Sequence, residues 1–439
     1  MKKFKKIVIL GAYHDLDMGD ESILTICLSN FKKTYPNGQF VVLSSNPSGT
    51  LRLHGDMAEV DGSLGMYLLH GNYFVDKLRV LSLIWAPLAY LILLFNAQRM
   101  KKNTVFLNNV GKRFLMHLRS CDLLFSVGGG YIKSGRTFGS WSLWWKCLTY
   151  ILCRILGKPI ILSGQTIGPL RGWCDRFLTR FALDRVDVIC LRDANSKFIL
   201  DDLGVSKPLI MVTSDDAILL PPAEDEVINE ILVKHGTSCK NPLIGINVIS
   251  LPHWRGKNID KVAELLAEFA DYLVDKYSGE ILFISTGYTR NWDDRVSAMA
   301  VYKLMKRKEK AIVLKDILNG RELKGVIGCL DFSIGFRFHF VLWCLSMGVP
   351  TIGIFIDDVY RSKLRGVFHS FGVNDFLYDV RRLHFDCLLK IVASNFQNKE
   401  LRRELKQQAE KLKVVADLAT KYACSILRSS EENPRKAPK

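Results

Sequence analysis

Residues 331–356 read DFSIGFRFHFVLWCLSMGVPTIGIFI. An apolar run, DFSIG (331–335), ends in glycine; an amphipathic stretch of helical length, FVLWCLSMG (340–348), follows; PTIGIFI (350–356) then resumes a run rich in β-branched residues. Strand, helix and strand in so short a span make a parallel β/α unit, because parallel neighbours need a crossover between them. Within it the triplet Arg337–Phe338–His339 places two polar groups in an apolar setting. Residues two apart share one face only while the chain is extended. An Arg-Phe-His triplet still extended where the strand ends therefore points Arg337 and His339 together, with Phe336, Phe338 and Phe340 toward the core. The carboxyl ends of strands in open α/β sheets are where ligands bind. The plain alternative is a structural arginine and a satisfied core histidine. In either case a buried guanidinium needs an anionic partner, since burying it alone costs several kcal/mol.

The same pattern recurs on both sides of this unit. IVIL (7–10), FVVLS (40–44), LLFSV (123–127), PIILS (159–163) and DVICL (187–191) form one series of candidate strands separated by helix-length segments. LIGINVIS (243–250), ILFIST (281–286), AIVL (311–314), DFSIG and PTIGIFI form a second. The fold class is therefore α/β, with two Rossmann-like domains facing a cleft. The join falls near SDDAILLPPAEDEV (214–227), where two prolines and a cluster of acids break the pattern. The expected organisation is residues 1–215, with an apolar helical insertion around 76–102; residues 216–380; C-terminal helices over 381–428; and a disordered tail, 429–439.

The insertion contains VLSLIWAPLAYLILLF (80–95), sixteen residues without a charge. A membrane span needs about 20 residues. The segment is a buried helix, an interfacial helix flanked by Lys77, Arg79, Arg99, Lys101 and Lys102, or a short span; the first two readings stay open.

At 439 residues, 48% hydrophobic, the chain is long enough for two ordinary cores. Its eleven cysteines are an odd count without a Cys-x-x-Cys pair, which reads as reduced, buried thiols rather than a zinc site or disulfide framework. The opening MKKFKKIVILGAY has only four apolar residues after its basic ones and is a first strand, not a signal peptide. A cytoplasmic protein is expected, with possible peripheral contact at the inner face of the cytoplasmic membrane. The formal charge of +17 suits a phosphorylated small molecule or an anionic membrane. No nucleic-acid motif accompanies it, and a nucleic-acid partner is not expected.

Five further loops follow strands. VGGGYI (127–132) holds Gly128, Gly129 and Gly130, whose backbone can approach another group or cradle an anion. GAYHDLDMGDESIL (11–24) carries Asp20 and Glu21, either as first-turn acids of a helix or as acid/base groups. GQTIGPL (164–170) offers Gly164, Gln165 and Gly168. LRDANS (191–196) presents Arg192 and Ser196, with Asp193 a local partner for the arginine. IDDVYRSKLRG (356–366) brings Tyr360, Arg361 and Lys363 to the same edge. No metal-binding cluster is expected.

The order of these motifs, from about residue 7 to 375 and including MGVPTIG (347–353) after the Arg-x-His triplet, resembles the polysaccharide pyruvyl transferase family. The resemblance implies a fold like that of the two-domain GT-B glycosyltransferases. It also implies transfer of pyruvate from phosphoenolpyruvate to a sugar of a cell-surface glycan or its lipid-linked precursor, forming a ketal. It makes Arg192 and Arg337 ligands of the donor's anionic groups and His339 an acid/base. Lys363 and Ser196 are added as donor contacts, and Asp20 as a second acid/base. The chemistry suits them: arginine binds carboxylate or phosphate bidentately, and histidine titrates in the range that proton transfer needs. No cofactor beyond the donor substrate is expected. Two positions depart from the family: Asp17 stands where asparagine is usual, and Lys133 and Arg136 follow the glycines where an acid is common. Two other functions remain: a GT-B glycosyltransferase using a nucleotide sugar, and a non-catalytic scaffold in glycan assembly.

Overall fold

The computed structural model describes residues 5–11, 16–70, 79–98, 106–135, 140–237, 241–250, 259–289 and 292–432. Each apolar run named above forms a strand. In chain order the strands are β1 (Lys6–Leu10), β2 (Gln39–Ser44), β3 (Glu59–Gly62), β4 (Leu123–Ser126), β5 (Gly129–Ile132), β6 (Ile160–Ile167), β7 (Val188–Leu191) and β8 (Leu209–Val212). They continue as β9 (Leu243–Asn247), β10 (Glu280–Phe283), β11 (Tyr288–Thr289), β12 (Trp292–Asp293), β13 (Ala311–Val313), β14 (Phe332–Gly335), β15 (Thr351–Phe355) and β16 (Leu377–Asp379).

Two compact units result. One takes Met1–Asp15, Ile23–Asp216 and Val415–Lys439; the other takes Leu16–Ser22 and Ala217–Val414. Two short segments are thus exchanged, which a division into consecutive blocks does not express. The C-terminal helix Leu418–Glu432 continues past Ser429 and belongs to the first unit; residues 433–439 lie outside the described residues.

The first unit is built on a parallel sheet ordered β3-β2-β1-β4-β6-β7-β8, with β5 also paired to β6. The second is built on a parallel sheet ordered β13-β10-β9-β14-β15-β16. Both are doubly wound: strand order reverses between β1 and β4 in the first and between β9 and β14 in the second. Central strands are covered on both faces, so all eight residues of β6 and all five of β9 and β15 are buried. This is why they read as unbroken apolar runs.

The apolar segment forms a helix, Arg79–Gln98. Ala86, Ala89, Tyr90, Leu93 and Ala97 join the core of the first unit, and the Tyr90 hydroxyl donates to the Leu148 carbonyl at 2.9 Å. Leu88, Leu91 and Phe95 are half or more exposed. Residues 76–78 and 99–102, with Lys77, Arg99, Lys101 and Lys102, lie outside the described residues. No helix among the described residues is long and apolar enough to cross a membrane. The thiols are less uniformly buried than expected, since Cys174 and Cys329 are exposed.

Candidate functional site

In the second unit, strand order turns between β9 and β14, and ligand sites of doubly wound sheets lie at the carboxyl end of such a turn. Arg337 stands there, two residues beyond β14. Its backbone N–H donates to Oδ1 of Asn247, the last residue of β9, at 3.0 Å. Arg337 itself is extended (φ −83°, ψ 136°), but the helix Phe338–Ser346 begins at the next residue. The triplet is therefore not extended through His339, because that residue already lies in the first helical turn. The alternation of faces survives: Phe336, Phe338 and Phe340 are buried, while Arg337 and His339 are half-buried.

The anion that Arg337 requires is Asp294. Nη2 donates to Oδ1 at 2.7 Å and Nε to Oδ2 at 3.0 Å. Asp294 opens the helix Asp294–Leu304 and also accepts the N–H groups of Ser250 (2.9 Å) and Gly287 (3.2 Å). Burial raises the Asp294 pKa against the opposing pull of Arg337. Burial also works against the charged guanidinium, yet Asp294 holds the Arg337 pKa above its usual value. Gly287 makes the fit possible, since a Cβ there would come within 3.0 Å of Nη2.

A segment from the start of the chain is laced onto this corner. The Met18 N–H donates to the Thr286 carbonyl (3.1 Å) and the Tyr288 N–H to the Leu16 carbonyl (2.8 Å), with Asp17 bridged to Gly287. Asp17 starts the helix Met18–Thr34, its Oδ1 accepting the N–H groups of Gly19 (3.2 Å) and Asp20 (3.4 Å). Gly19 faces His339 so closely that a Cβ would lie 1.7 Å from Nδ1. Asp17, Asp20 and His339 each present one ligating atom, all within 4.8 Å of one another. Two carboxylates and an imidazole so placed can exchange a proton, and the same donor set fits a divalent cation. Tyr360 completes the group. Burial pushes its phenol pKa to about 12, opposed by Arg337 and reinforced by Asp294 and Asp17. The Lys363 ammonium stands 6.0 Å from the Tyr360 ring.

Of the residues marked in the sequence, Asp20, Arg337 and His339 thus come together, with Lys363 beside Tyr360. Asp294 escapes the sequence: the need for an anion beside Arg337 is legible there, but nothing in NWDDR (291–295) marks which acid supplies it.

The remaining candidates belong to the first unit, where they form a buried polar network. Arg192 donates from Nη1 to Asp215 Oδ2 and from Nε to Thr166 Oγ1, each at 2.6 Å. Its partner is Asp215, not the adjacent Asp193, which caps the helix Ala194–Leu203 by accepting the Ser196 N–H at 2.7 Å. Ser196 is fully buried; its Oγ accepts the Ile167 N–H at 2.8 Å, so it fastens the helix to β6 and presents no surface to a donor. The Gln165 amide donates to the carbonyls of Val127 (2.8 Å) and Ser163 (2.9 Å). The close approach that the triple glycine permits is to this same strand, because a Cβ at Gly128 would lie 2.8 Å from the Gly164 carbonyl oxygen. Gly129 and Gly130 are buried in β5. Gly164 (φ +49°), at an irregularity within β6, and Gly168 (φ +83°), just past its end, take left-handed backbone conformations. Beneath them Asp216 accepts the Ser163 hydroxyl at 2.5 Å, and burial pushes its carboxyl pKa to about 7.

Comparison with known proteins agrees with this arrangement of motifs. The chain is 21% identical over 326 residues to the amylovoran biosynthesis protein AmsJ of Erwinia amylovora, covering 72% of this chain and 75% of that one. Among solved structures, a glycosyltransferase of Rickettsia africae superposes with a TM-score of 0.60 at 12% identity, covering 98% and 99% of the two chains. The UDP-GlcNAc 2-epimerase of Neisseria meningitidis, bound to UDP-GlcNAc, gives 0.54 at 10%, covering 97% and 100%. These two likenesses concern the fold. Residues 18–357, the span that holds both the Asp17–Asp20 turn's helix and the Arg-x-His corner, match the description "Polysaccharide pyruvyl transferase". The chain belongs to the polysaccharide pyruvyl transferase family.

Proposed function

We propose that the enzyme transfers pyruvate from phosphoenolpyruvate to two hydroxyls of one sugar in a cell-surface glycan precursor, releasing phosphate and forming a cyclic ketal. The observation that carries this reading is the corner at which Arg337, braced by Asp294, stands with His339, Asp17 and Asp20. Asp294 uses the Nε and Nη2 edge of the guanidinium, so Nη1 is the atom that meets the donor carboxylate. Because the pair is locked, the group needs little reorganisation when a substrate arrives.

An acid, His339 or Asp20, protonates C3 of the enol, and C2 becomes cationic. A sugar hydroxyl adds to C2 and surrenders its proton to the conjugate base. The C2–O bond to phosphate breaks, a second hydroxyl of the same sugar adds, and its proton leaves with phosphate. The neighbouring carboxylates of Asp17 and Asp20 stabilise positive charge on the imidazole and on C2.

The likeness to AmsJ supports an exopolysaccharide as the destination. Peripheral contact with an anionic membrane belongs to the same reading. It is supported by the exposed stripe Leu88, Leu91 and Phe95, and by a second stripe, Trp173, Phe177 and Phe181, on the helix Trp173–Leu183.

The test is mass spectrometry of glycan intermediates incubated with phosphoenolpyruvate. The expected product carries one added pyruvate per phosphate released. His339→Ala is expected to lower turnover by roughly 10²- to 10⁴-fold with little change in melting temperature. Stabilisation of the protein by nucleotide sugars and not by phosphoenolpyruvate would replace this reading with glycosyl transfer.

A further inference from the structure

The helix Asp358–Phe371 carries Arg361, Arg365 and His369 four residues apart, exposed and on one face. They line a groove of about 680 Å³ that lies wholly within the second unit. The turn Val380–Arg382, which follows the edge strand β16, brings Arg381 and Arg382 to the same groove. Asp379 is the acid of the lining, and Arg381 engages it, Nε donating to Oδ1 at 2.9 Å. Among the described residues, Arg361, Arg365 and Arg382 form no ion pair. The two on the helix do not serve it either. Arg361 lies in the first turn, where the helix dipole favours acids, and Arg361 and Arg365, four apart, repel one another. The groove is separate from the donor corner. β15 lies between β14 and β16, which sets the carboxyl ends of those two strands about 10 Å apart. The helix itself divides the two sites: Tyr360 stands near enough to Arg337 for the guanidinium to act on its phenol, whereas the Arg361 guanidinium lies 5.9 Å from the Phe355 ring, in the groove.

We infer that this groove binds an oligophosphate, a small molecule with two or more linked phosphoryl groups. The planar fork of a guanidinium matches phosphoryl oxygens two at a time. Charge sets the number of groups. Three guanidinia without acidic partners carry three positive charges, and one phosphoryl group supplies only about 1.5–2 negative ones at neutral pH. Geometry agrees, because residues four apart on a helix rise about 6 Å, so the forks are strung along the groove and a linked chain meets them in turn. Arg381 adds a directed contact: Asp379 takes its Nε and Nη2, which leaves Nη1 for the ligand. The volume falls within the range of about 300–1,000 Å³ usual for small-molecule sites. Phe355 and Tyr378 add ring surface to the wall, so an organic group carried by the phosphates has a place to pack. Cys387 reports on occupancy. Its Sγ lies 3.2 Å from His384 Nε2, while Nδ1 of that ring donates to the Arg382 carbonyl at 2.9 Å, which fixes the pair at the groove wall.

Titration calorimetry of the full-length protein with inorganic tripolyphosphate, ATP and orthophosphate, at fixed ionic strength, tests the assignment. Tripolyphosphate is expected to bind saturably, and orthophosphate about tenfold more weakly or worse. Arg365→Gln combined with Arg382→Gln is expected to weaken tripolyphosphate by about tenfold or more. The melting temperature of the free protein should hold or rise, since a repulsion is removed. Lysine at both positions keeps the charge without the forks and is expected to retain part of the binding. Tripolyphosphate should also slow alkylation of Cys387 while leaving the exposed Cys174 and Cys329 unprotected. ATP bound more tightly than tripolyphosphate, and lost in the same variant, assigns an organic oligophosphate; weaker ATP binding assigns an inorganic one. Thermal stabilisation by phosphoenolpyruvate, followed on the same samples, is expected to survive the substitutions. Absence of saturable tripolyphosphate binding, binding that the double substitution leaves intact, or an unprotected Cys387 overturns the inference. Equal affinity for poly-glutamate makes the groove a surface for acidic peptides and overturns it as well. Loss of the response to phosphoenolpyruvate together with tripolyphosphate binding merges the groove with the donor corner and removes the second site.

Discussion

The Arg337 guanidinium is held by Asp294, forty-three positions away. Such a partner is invisible to spacing, because loop ends meet only after the sheet has assembled. It also changes the chemistry. Arg192 is likewise paired, with Asp215, so neither arginine is a bare cation, and each is a fixed ion pair with direction. Removing one partner of a buried pair strands the other's charge, which costs about 3–5 kcal/mol. Asp294→Ala is expected to lower unfolding free energy by about that amount in urea; a loss under about 1 kcal/mol would mean that Arg337 finds water or another acid. Gly19 offers a gentler probe. It lies in the first turn of a helix with an ordinary φ, so alanine introduces no backbone strain and by propensity favours the helix. Its methyl group would nevertheless overlap the His339 ring. Gly19→Ala is therefore expected to displace the imidazole, lowering stability by about 1–3 kcal/mol and turnover by about 10²-fold; full activity would place the imidazole outside the reaction.

At the scale of elements, legibility follows burial. Most strands that are plain in the sequence are central ones, such as β6, β9 and β15, covered on both faces and therefore apolar throughout; the edge strand β13 is the exception. Those that escaped are β3 (EVDG), β5 (GGYI), β8 (LIMV), β16 (LYD) and the two-residue β11 and β12, all of them short; β3, β8 and β16 lie at sheet edges. An edge strand buries less and is specified by pairing more than by pattern. The glycine and glutamine loops stand out in the sequence, but their use does not. Glycines that admit a ligand and glycines that admit a neighbouring strand have the same sequence, and here Gly128 and Gln165 serve the second use. The network beneath them has a measurable signature at Asp216. Its carboxyl pKa rises from 3.8 to about 7 on folding, so the folded state binds the proton more tightly than the unfolded chain. The stabilisation is then full below about pH 4 and is lost as pH rises through 7. At about 1.4 kcal/mol per unit, the change over that window is a few kcal/mol. Asp216→Asn is expected to flatten the stability profile between pH 4 and 7 in urea titrations and to match or exceed the parent protein at pH 8. An unchanged slope would show that another group carries it. Lys324 does not blur the window. Buried, and donating to the Ile218 and Leu220 carbonyls, it has its pKa lowered to about 7, so its effect is a rise in stability above pH 7.

For the whole molecule, the net charge of +17 and two apolar stripes in the first unit bear on where the enzyme works. Leu88, Leu91 and Phe95 recur at helical spacing on the outer side of a helix whose inner side is core. Trp173, Phe177 and Phe181 do the same on the helix Trp173–Leu183. There Arg176 and Arg180 occupy adjoining turns, and the Arg185 guanidinium lies 3.4 Å from the Phe181 ring. Single exposed hydrophobic residues need no explanation, but aligned aromatic residues with arginines beside them are the makings of an interfacial surface. Near an anionic leaflet each arginine or lysine contributes about 1 kcal/mol, and this attraction fades beyond a Debye length of about 10 Å at 0.1 M salt. The protein is therefore expected to float with vesicles containing anionic lipid at low salt, to float poorly with neutral vesicles, and to be released as salt rises. Leu91→Glu with Phe95→Glu, and separately Trp173→Ser with Phe177→Ser, assign the contact to one helix or to both. Flotation lost in one pair and kept in the other identifies the inserted stripe. Failure of the parent protein to float on anionic vesicles, even at low salt, would remove the membrane from the proposed setting and leave a soluble precursor as the acceptor.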